Sequence, residues 1–155
     1  YSKIYSNILF SKGYEMAKVY NGEISVHTEA DEYNNPSKNC RFMITTYSKD
    51  IRSNFEISVN QSYEDANLLY TVENIQNSIG DHEYKGHGVK KTGNDNHHQV
   101  YMFQMSQTSW QGTTQEYKEV IYQRMMNYMP VGISKYNINY GFIKAMYNSI
   151  YGNKK

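Results

Sequence analysis

The spacing of apolar residues alternates between helix-like and strand-like along this chain. Near the N-terminus, four apolar residues follow helical spacing: Ile4, Tyr5, Ile8 and Leu9. We therefore predict a short helix there. Apolar and polar residues then alternate on both sides of Asn21-Gly22, a dipeptide that favours the tight turn of a hairpin. This pattern predicts a first hairpin over residues 14–28.

Two further segments have the pattern of paired strands. In the segment 40–61, CRFMITTYS and NFEISVNQ alternate around Lys49-Asp50, and Ile57 and Val59 share one face. In the segment 82–107, the turn-rich sequence TGNDN separates two β-like runs. We predict a hairpin in each segment.

Helical spacing dominates three other segments. The predicted helices lie near 62–79, 113–129 and 140–151. Gly80 and Pro130 are predicted to end the first two helices. Ser62 with Asp65, and Thr113 with Glu116, have the spacing of a capping box at the helix start.

These elements predict a single α+β domain over residues 1–155. Its sheet would be mostly antiparallel, built from the three hairpins, with the helices packed on it. The second half also resembles the PsbP/Mog1-like α/β/α sandwich, through SYEDANLLYTVENIQNSIG, YKGHGVKK, HQVYMFQM and QEYKEVIYQRMMNYM. The resemblance covers about 70 residues and implies, as the alternative fold, that sandwich and a role as an accessory or binding subunit.

Charge and composition exclude several kinds of function. The formal net charge is +1, so no basic face favours nucleic acid as a partner. Apolar runs are too short for a transmembrane helix. The lone cysteine, Cys40, cannot form a disulfide within the chain and suits a small buried residue.

The chain begins with Tyr1 rather than methionine. This start suits either a processed mature chain or a trimmed one, and the compartment stays open. Processing would favour a secreted or cell-envelope protein, with import into an organelle as the alternative.

The histidines are the main candidates for chemistry. His97 and His98 would point to opposite faces of a strand, so they would not bind one metal ion together. In the predicted hairpin, His87 and His98 share a face and are the candidate metal ligands; His82 and His97 lie in the same region. The zinc-type pair of histidines four residues apart on a helix is absent, and a solvent-facing hairpin without metal is favoured.

No motif in the sequence indicates a catalytic nucleophile or a cofactor. The glycines and lysines of KGHGVKKTG lack the spacing of a phosphate-binding loop. The paired carboxylates sit in predicted first turns of helices, where the helix dipole explains them. We therefore expect no enzymatic activity and no cofactor.

Tyrosine is abundant, with 17 residues, and combines apolar area with a polar group. The leading hypothesis is a non-enzymatic binding or structural subunit that contacts a protein partner, or a second copy, through a tyrosine-rich surface. The candidate interface residues lie on the last helix: Phe142, Met146, Tyr147, Ile150 and Tyr151. The alternatives are a metal-dependent enzyme that uses the histidine region, and a carrier of a small apolar ligand.

Overall fold

The computed structural model describes residues 2–14, 23–27, 43–47, 55–60, 63–90, 92–93, 96–130 and 138–152. These residues are mostly helical. The α-helices are α1 (Ser2–Ser11), α2 (Val72–Ile75), α3 (His97–Met105), α4 (Gln115–Tyr128) and α5 (Tyr140–Tyr151). A π-helix (Gln76–Val89) continues α2, and two 3-10 helices span Glu64–Leu68 and Thr108–Gly112. The strands are β1 (Glu23–His27), β2 (Met43–Tyr47) and β3 (Phe55–Asn60).

The three strands form a small mixed sheet with β3 in the middle. β1 runs parallel to β3, with Ile24 opposite Ile57, and β2 runs antiparallel, with Thr45 opposite Ile57. The side chains of Ile57 and Val59 are fully buried, so β3 contributes its alternating apolar face to the core.

The predicted α+β fold with a mostly antiparallel sheet is wrong, because the described residues are mostly helical. In segment 82–107, the predicted hairpin is replaced by the second half of the π-helix and by α3. In α3 the buried residues Val100, Tyr101, Gln104 and Met105 follow helical spacing, not alternation. The PsbP-like sandwich fails for the same reason, since its predicted strands lie in helices: YKGHGV in the π-helix and HQVYMFQM in α3.

Of the hairpin predicted over 14–28, only the second strand lies among the described residues, as β1. β1 pairs with β3 in parallel, and the Asn21-Gly22 turn lies outside the described residues. In segment 40–61, β2 and β3 pair in the antiparallel sense that the sequence predicted. The expectation of one domain stays a prediction.

The helices α1, α4 and α5 lie where helical spacing predicted them. Thr71 and Thr114 accept the backbone N–H three residues ahead, whereas Thr113 donates its hydroxyl to the Trp110 carbonyl. Ser62 lies outside the described residues. Gly80 does not end a helix. A Cβ at Gly80 would lie 2.6 Å from the Tyr14 ring, so this glycine permits close packing inside the π-helix.

Apolar side chains form two separate buried clusters among the described residues. The first joins α1, β3 and the π-helix, with Leu9, Ile57, Val59 and Ile79 fully buried. The second joins α3, α4 and α5, and contains Trp110, Met125, Ile143 and Ile150, among others. None of the described helices is long and apolar enough to cross a membrane.

Candidate metal centre

Three histidine side chains meet between the π-helix and α3. His82 Nε2 lies 3.0 Å from His97 Nε2, and His87 Nε2 lies 3.3 Å from the same atom. One ring nitrogen from each residue lies within 4.8 Å of the other two. His82 and His87 are buried, and His97 is partly exposed.

The π-helix brings His82 and His87 together. Residues five apart are about one turn apart in a π-helix, because its hydrogen bonds join residue i to residue i+5. In an α-helix, with about 3.6 residues per turn, the same two side chains would point in very different directions. The bond from Lys90 N–H to the Lys85 carbonyl, 2.9 Å long, shows this wider turn just after His87.

A glycine on the π-helix lets α3 bring His97 close. A Cβ at Gly86 would lie 2.5 Å from Val100 Cγ1, closer than side chains normally pack. Only a residue without a side chain therefore permits this approach. His97 is in the first turn of α3, three residues before Val100, and so faces the π-helix.

A buried chain of amides fixes the protonated nitrogen of His82. Asn77 Nδ2 donates to the backbone carbonyl of Gln104 at 3.0 Å, which assigns the two ends of the Asn77 amide. Asn77 Oδ1 then accepts from Gln104 Nε2 at 2.9 Å, so Gln104 Oε1 faces His82 Nδ1 at 2.7 Å. A neutral His82 therefore carries its proton on Nδ1 and has a lone pair on Nε2.

His87 has the same arrangement with a simpler partner. Its Nδ1 lies 2.7 Å from the backbone carbonyl oxygen of Thr92, which can only accept a hydrogen bond. The proton of a neutral His87 is therefore on Nδ1, and Nε2 has the lone pair. Metal-binding histidines commonly donate their second N–H to a carbonyl or carboxylate in this way.

Two lone pairs thus converge on the third nitrogen, His97 Nε2. A proton on that atom can point along only one line, so it cannot serve both acceptors with good geometry. A metal ion can bind all three. For Zn–N bonds of about 2.0–2.1 Å, tetrahedral geometry separates ligand nitrogens by about 3.3–3.4 Å. The distance from His87 Nε2 to His97 Nε2 is 3.3 Å, and that from His82 Nε2 to His97 Nε2 is shorter, at 3.0 Å.

Electrostatics keep His82 neutral. Burial lowers its pKa well below the ordinary value of 6.5, and the neighbouring His87 and His97 lower it further. The hydrogen bond to Gln104 acts in the opposite direction but does not reverse the shift. Protons therefore compete weakly for His82 Nε2 near neutral pH, and a neutral imidazole is the form that binds a metal.

Two tyrosines border the cluster on the side of α3 and α4. The Tyr101 ring stacks on His97 with centroids 5.0 Å apart, and the Tyr128 ring lies 4.3 Å from His97. Burial, followed by the effects of Tyr128 and Glu83, raises the pKa of Tyr101 above its usual value. Tyr101 therefore keeps its proton and acts as an apolar wall rather than as an anionic ligand.

One carboxylate lies beside the cluster. Glu83 Oε1 is 3.9 Å from His82 Nε2, and the side chain is almost entirely buried. Among the described residues, the group of donors close enough to share one ion contains the three histidines and not Glu83. This carboxylate therefore lies beside the three histidines but outside the group that could share one ion.

The structure groups the candidate histidines differently from the sequence pattern. His87 joins His82 and His97, whereas His98 is buried on another side of α3 and lies outside this group. Adjacent residues of an α-helix point about 100° apart, so only one of the pair can face the π-helix. The solvent-facing hairpin favoured from the sequence is not present, since His82 and His87 are buried.

The missed signal was the spacing His82-Glu83-x-x-x-His87. A search for two histidines four residues apart excludes this pair by one residue. Only a helix with about one additional residue per turn places two histidines five residues apart on the same side, and no feature of the sequence predicts such a helix.

The candidate interface residues all lie on α5. Ile150 is buried in the second apolar cluster, and Phe142, Met146 and Tyr151 pack partly against it. Tyr147 is 52% exposed, and its ring contacts those of Tyr122 and Tyr151. Most of the predicted stripe therefore packs on the protein itself, and Tyr147 is its most exposed member.

No known protein family, curated protein or solved structure matches this chain.

Proposed function

We propose that this protein binds one divalent transition-metal ion through the Nε2 atoms of His82, His87 and His97. The observation that carries this proposal is the convergence of two fixed lone pairs on a third imidazole nitrogen, at 3.0 and 3.3 Å. Each fixed imidazole is held by an acceptor behind it, Gln104 Oε1 or the Thr92 carbonyl. Such outer partners orient the rings before a metal arrives and so reduce the entropy cost of binding.

The donor set favours zinc and its neighbours in the transition series. Imidazole nitrogen suits Zn²⁺, Cu²⁺, Ni²⁺ and Fe²⁺, whereas Ca²⁺ and Mg²⁺ prefer oxygen. Three histidines in a compact group match the ligand set of several catalytic zinc sites, in which a water molecule takes the fourth position. We therefore choose Zn²⁺ as the ion to test first.

The direct test is a titration of chelator-treated, metal-free protein with Zn²⁺, followed by calorimetry. We expect one ion per chain. His87→Ala should weaken binding by more than the roughly 10–100-fold that loss of an outer-shell partner costs, because it removes a ligand. Co²⁺ should bind in the same place and give the visible absorption of a four- or five-coordinate site.

His98→Asn is the matched control, since His98 is also a buried histidine of the same region but lies outside the group of three. It should leave the affinity for Zn²⁺ unchanged. The proposal fails if folded wild-type protein does not bind Zn²⁺, or if His98→Asn weakens binding as much as His87→Ala does.

A second proposal, independent of the metal, is contact with a protein partner or a second copy through α5. The half-exposed Tyr147, packed beside Tyr151, supports it. Tyr147→Ser tests the surface better than removal of 140–155, because Ile143 and Ile150 belong to the core. A native mass or partner affinity that is unchanged in Tyr147→Ser would contradict this proposal, and Ser149→Ala, on the exposed side of the same helix, is the control.

A further inference from the structure

We infer that Glu83 is the general base of a metal-dependent hydrolase, and that the substrate is a carbonyl ester or amide. The inference rests on the proposed metal site and extends it. Glu83 would accept a proton from a water molecule bound at the fourth position of the ion. Three observations carry it: the order of residues on the π-helix, the place of Glu83 beside the ligands, and the surroundings of the site.

The order of residues is that of a known catalytic arrangement, adapted to a wider helix. In one class of zinc hydrolase, two histidines one α-helical turn apart bind the ion, and the glutamate directly after the first histidine is the general base. Here His82, Glu83 and His87 have the same order. The additional residue between the histidines is matched by the i to i+5 bonding of the π-helix, so the pair is again one turn apart.

The position of Glu83 suits a base better than a ligand. Its Oε1 is 3.9 Å from His82 Nε2, yet among the described residues it is not in the group whose donors all lie within 4.8 Å of one another. Three neutral ligands leave a coordination position for water. A carboxylate just outside the ligand set can accept a hydrogen bond from that water, and its negative charge partly offsets that of the ion.

The site has a route to solvent. His97 is partly exposed, and Tyr128, whose ring lies 4.3 Å from that of His97, is 48% exposed. A flat substrate group can therefore lie along the exposed side of Tyr128 while the bond to be cleaved approaches the ion. His82 and Glu83 are buried, so the charge that develops in the reaction would be poorly screened by water.

The charges around the site favour a neutral carbonyl substrate. Cleavage of phosphate esters usually recruits a second metal or a cationic side chain to balance negative charge. Arg124, whose charge affects Tyr101, is held by Asp65 through contacts of 3.0 to 3.2 Å. Lys85, on the π-helix, is within 3.5 Å of Asp81. Each of these two cations is therefore already paired with a carboxylate of the protein.

The proposed step is balanced in atoms and protons. Glu83 takes one proton from the bound water, and the resulting hydroxide forms a bond to the carbonyl carbon. The bond from that carbon to the leaving oxygen or nitrogen then breaks. Glu83 returns the proton to the leaving group, so an ester and water give an acid and an alcohol, and Glu83 ends as a carboxylate.

The test compares wild-type protein with Glu83→Gln, both at saturating Zn²⁺, on 4-nitrophenyl acetate. We expect zinc-dependent hydrolysis by the wild type. In Glu83→Gln, kcat/KM should fall by about 100-fold or more, the contribution typical of a general base, while the affinity for Zn²⁺ stays the same. Glu83→Asp keeps a carboxylate at a greater distance and should retain intermediate activity. Thermal unfolding of each variant shows that it is folded.

Glu116→Gln is the control, because it removes an exposed carboxylate from α4 and should leave the rate unchanged. Bis(4-nitrophenyl) phosphate tests the substrate class, and faster cleavage of this diester than of the acetate would overturn the carbonyl assignment. If Zn²⁺ binds but Glu83→Gln hydrolyses as fast as the wild type, or loses its affinity for Zn²⁺, the general-base inference is overturned and the metal site stands. If Zn²⁺ does not bind, both fail.

Discussion

Two buried polar clusters lie side by side on the π-helix and differ in how their hydrogen bonds are satisfied. Around Asp81, Tyr14 Oη donates to Oδ1 at 2.6 Å and Ser109 Oγ donates to Oδ2 at 2.5 Å. Lys85 Nζ adds a contact of 3.5 Å from the partly exposed side. Donors and acceptors match, so this cluster is complete within the protein.

The next residue, His82, belongs to a cluster of the other kind. His82 and His87 both present lone pairs, and both lie next to the single nitrogen of His97. A single proton on His97 Nε2 can point along only one line, toward one of these two nitrogens. The comparison teaches that burial and polarity alone do not indicate a functional site; the proposed metal site rests instead on the convergence of three ring nitrogens.

The largest expected loss of stability comes from removing Asp81, the acceptor at the centre of the first cluster. Asp81→Ala removes the acceptor of two buried hydroxyl groups and should lower the free energy of unfolding of the metal-free protein by about 3 kcal/mol. Urea unfolding of the wild type and the variant measures this difference in free energy. Lys85→Ala removes only the partly exposed partner and should cost less than about 1 kcal/mol. Equal losses in the two variants would contradict this account of the cluster.

The histidine cluster should respond to metal instead. At a free Zn²⁺ concentration of about 100 times Kd, the wild type should gain about 2.7 kcal/mol in free energy of unfolding. His97→Asn should lose this gain, because the convergence depends on His97. Chemical unfolding with and without Zn²⁺ measures the difference. If His97→Asn gained as much stability from Zn²⁺ as the wild type does, the ion would bind elsewhere. Lys85→Ala is the control and should keep the full stabilisation by Zn²⁺.

The sequence could predict the regions in which one face of a helix is apolar. In α4 and α5, the buried Tyr117, Ile121, Met125, Ile143 and Ile150 follow helical spacing, and both helices appear where they were expected. These helices have one buried and one exposed side, so their period is visible in the residue types.

The candidate site could not be predicted in the same way. In the π-helix, most side chains from Asn77 to Gly88 are buried on all sides, and many are polar. Because polar residues are buried here as well as apolar ones, residue type does not distinguish an inner face from an outer face. The sequence pattern therefore shows neither the helix period nor the strand period. Gly86 lies in a segment that was predicted to be a strand, whereas in the π-helix it permits the close approach of α3.

A smaller effect should follow from loosening the contact behind His82. Gln104→Met removes the acceptor of His82 Nδ1–H, so the ring can turn or change tautomer, and affinity for Zn²⁺ should fall by about 10–100-fold. Calorimetry measures the change. Gln107→Met is the control, since Gln107 lies just after α3 and its Nε2 donates to the Phe103 carbonyl of that helix. An unchanged affinity in Gln104→Met would mean that the outer contact does not orient the ligand.

The smallest predicted effect is the pH dependence of the metal-free protein. The pKa of His82 is lowered in the folded state, so between that pKa and the ordinary value of 6.5 the unfolded chain binds a proton that the folded chain does not. Stability is therefore retained above about pH 6.5 and falls as the pH decreases, by at most about 1.4 kcal/mol per pH unit for one proton.

Urea unfolding in the presence of a chelator, from pH 7.5 to 5.5, measures this slope. His87, His97 and Glu83 lie beside His82, so the slope of the wild type alone does not isolate His82. The difference between the wild type and His82→Gln isolates the contribution of His82. If both slopes are equal, His82 is not held neutral by burial, and the argument that its Nε2 is free of protons near neutral pH fails.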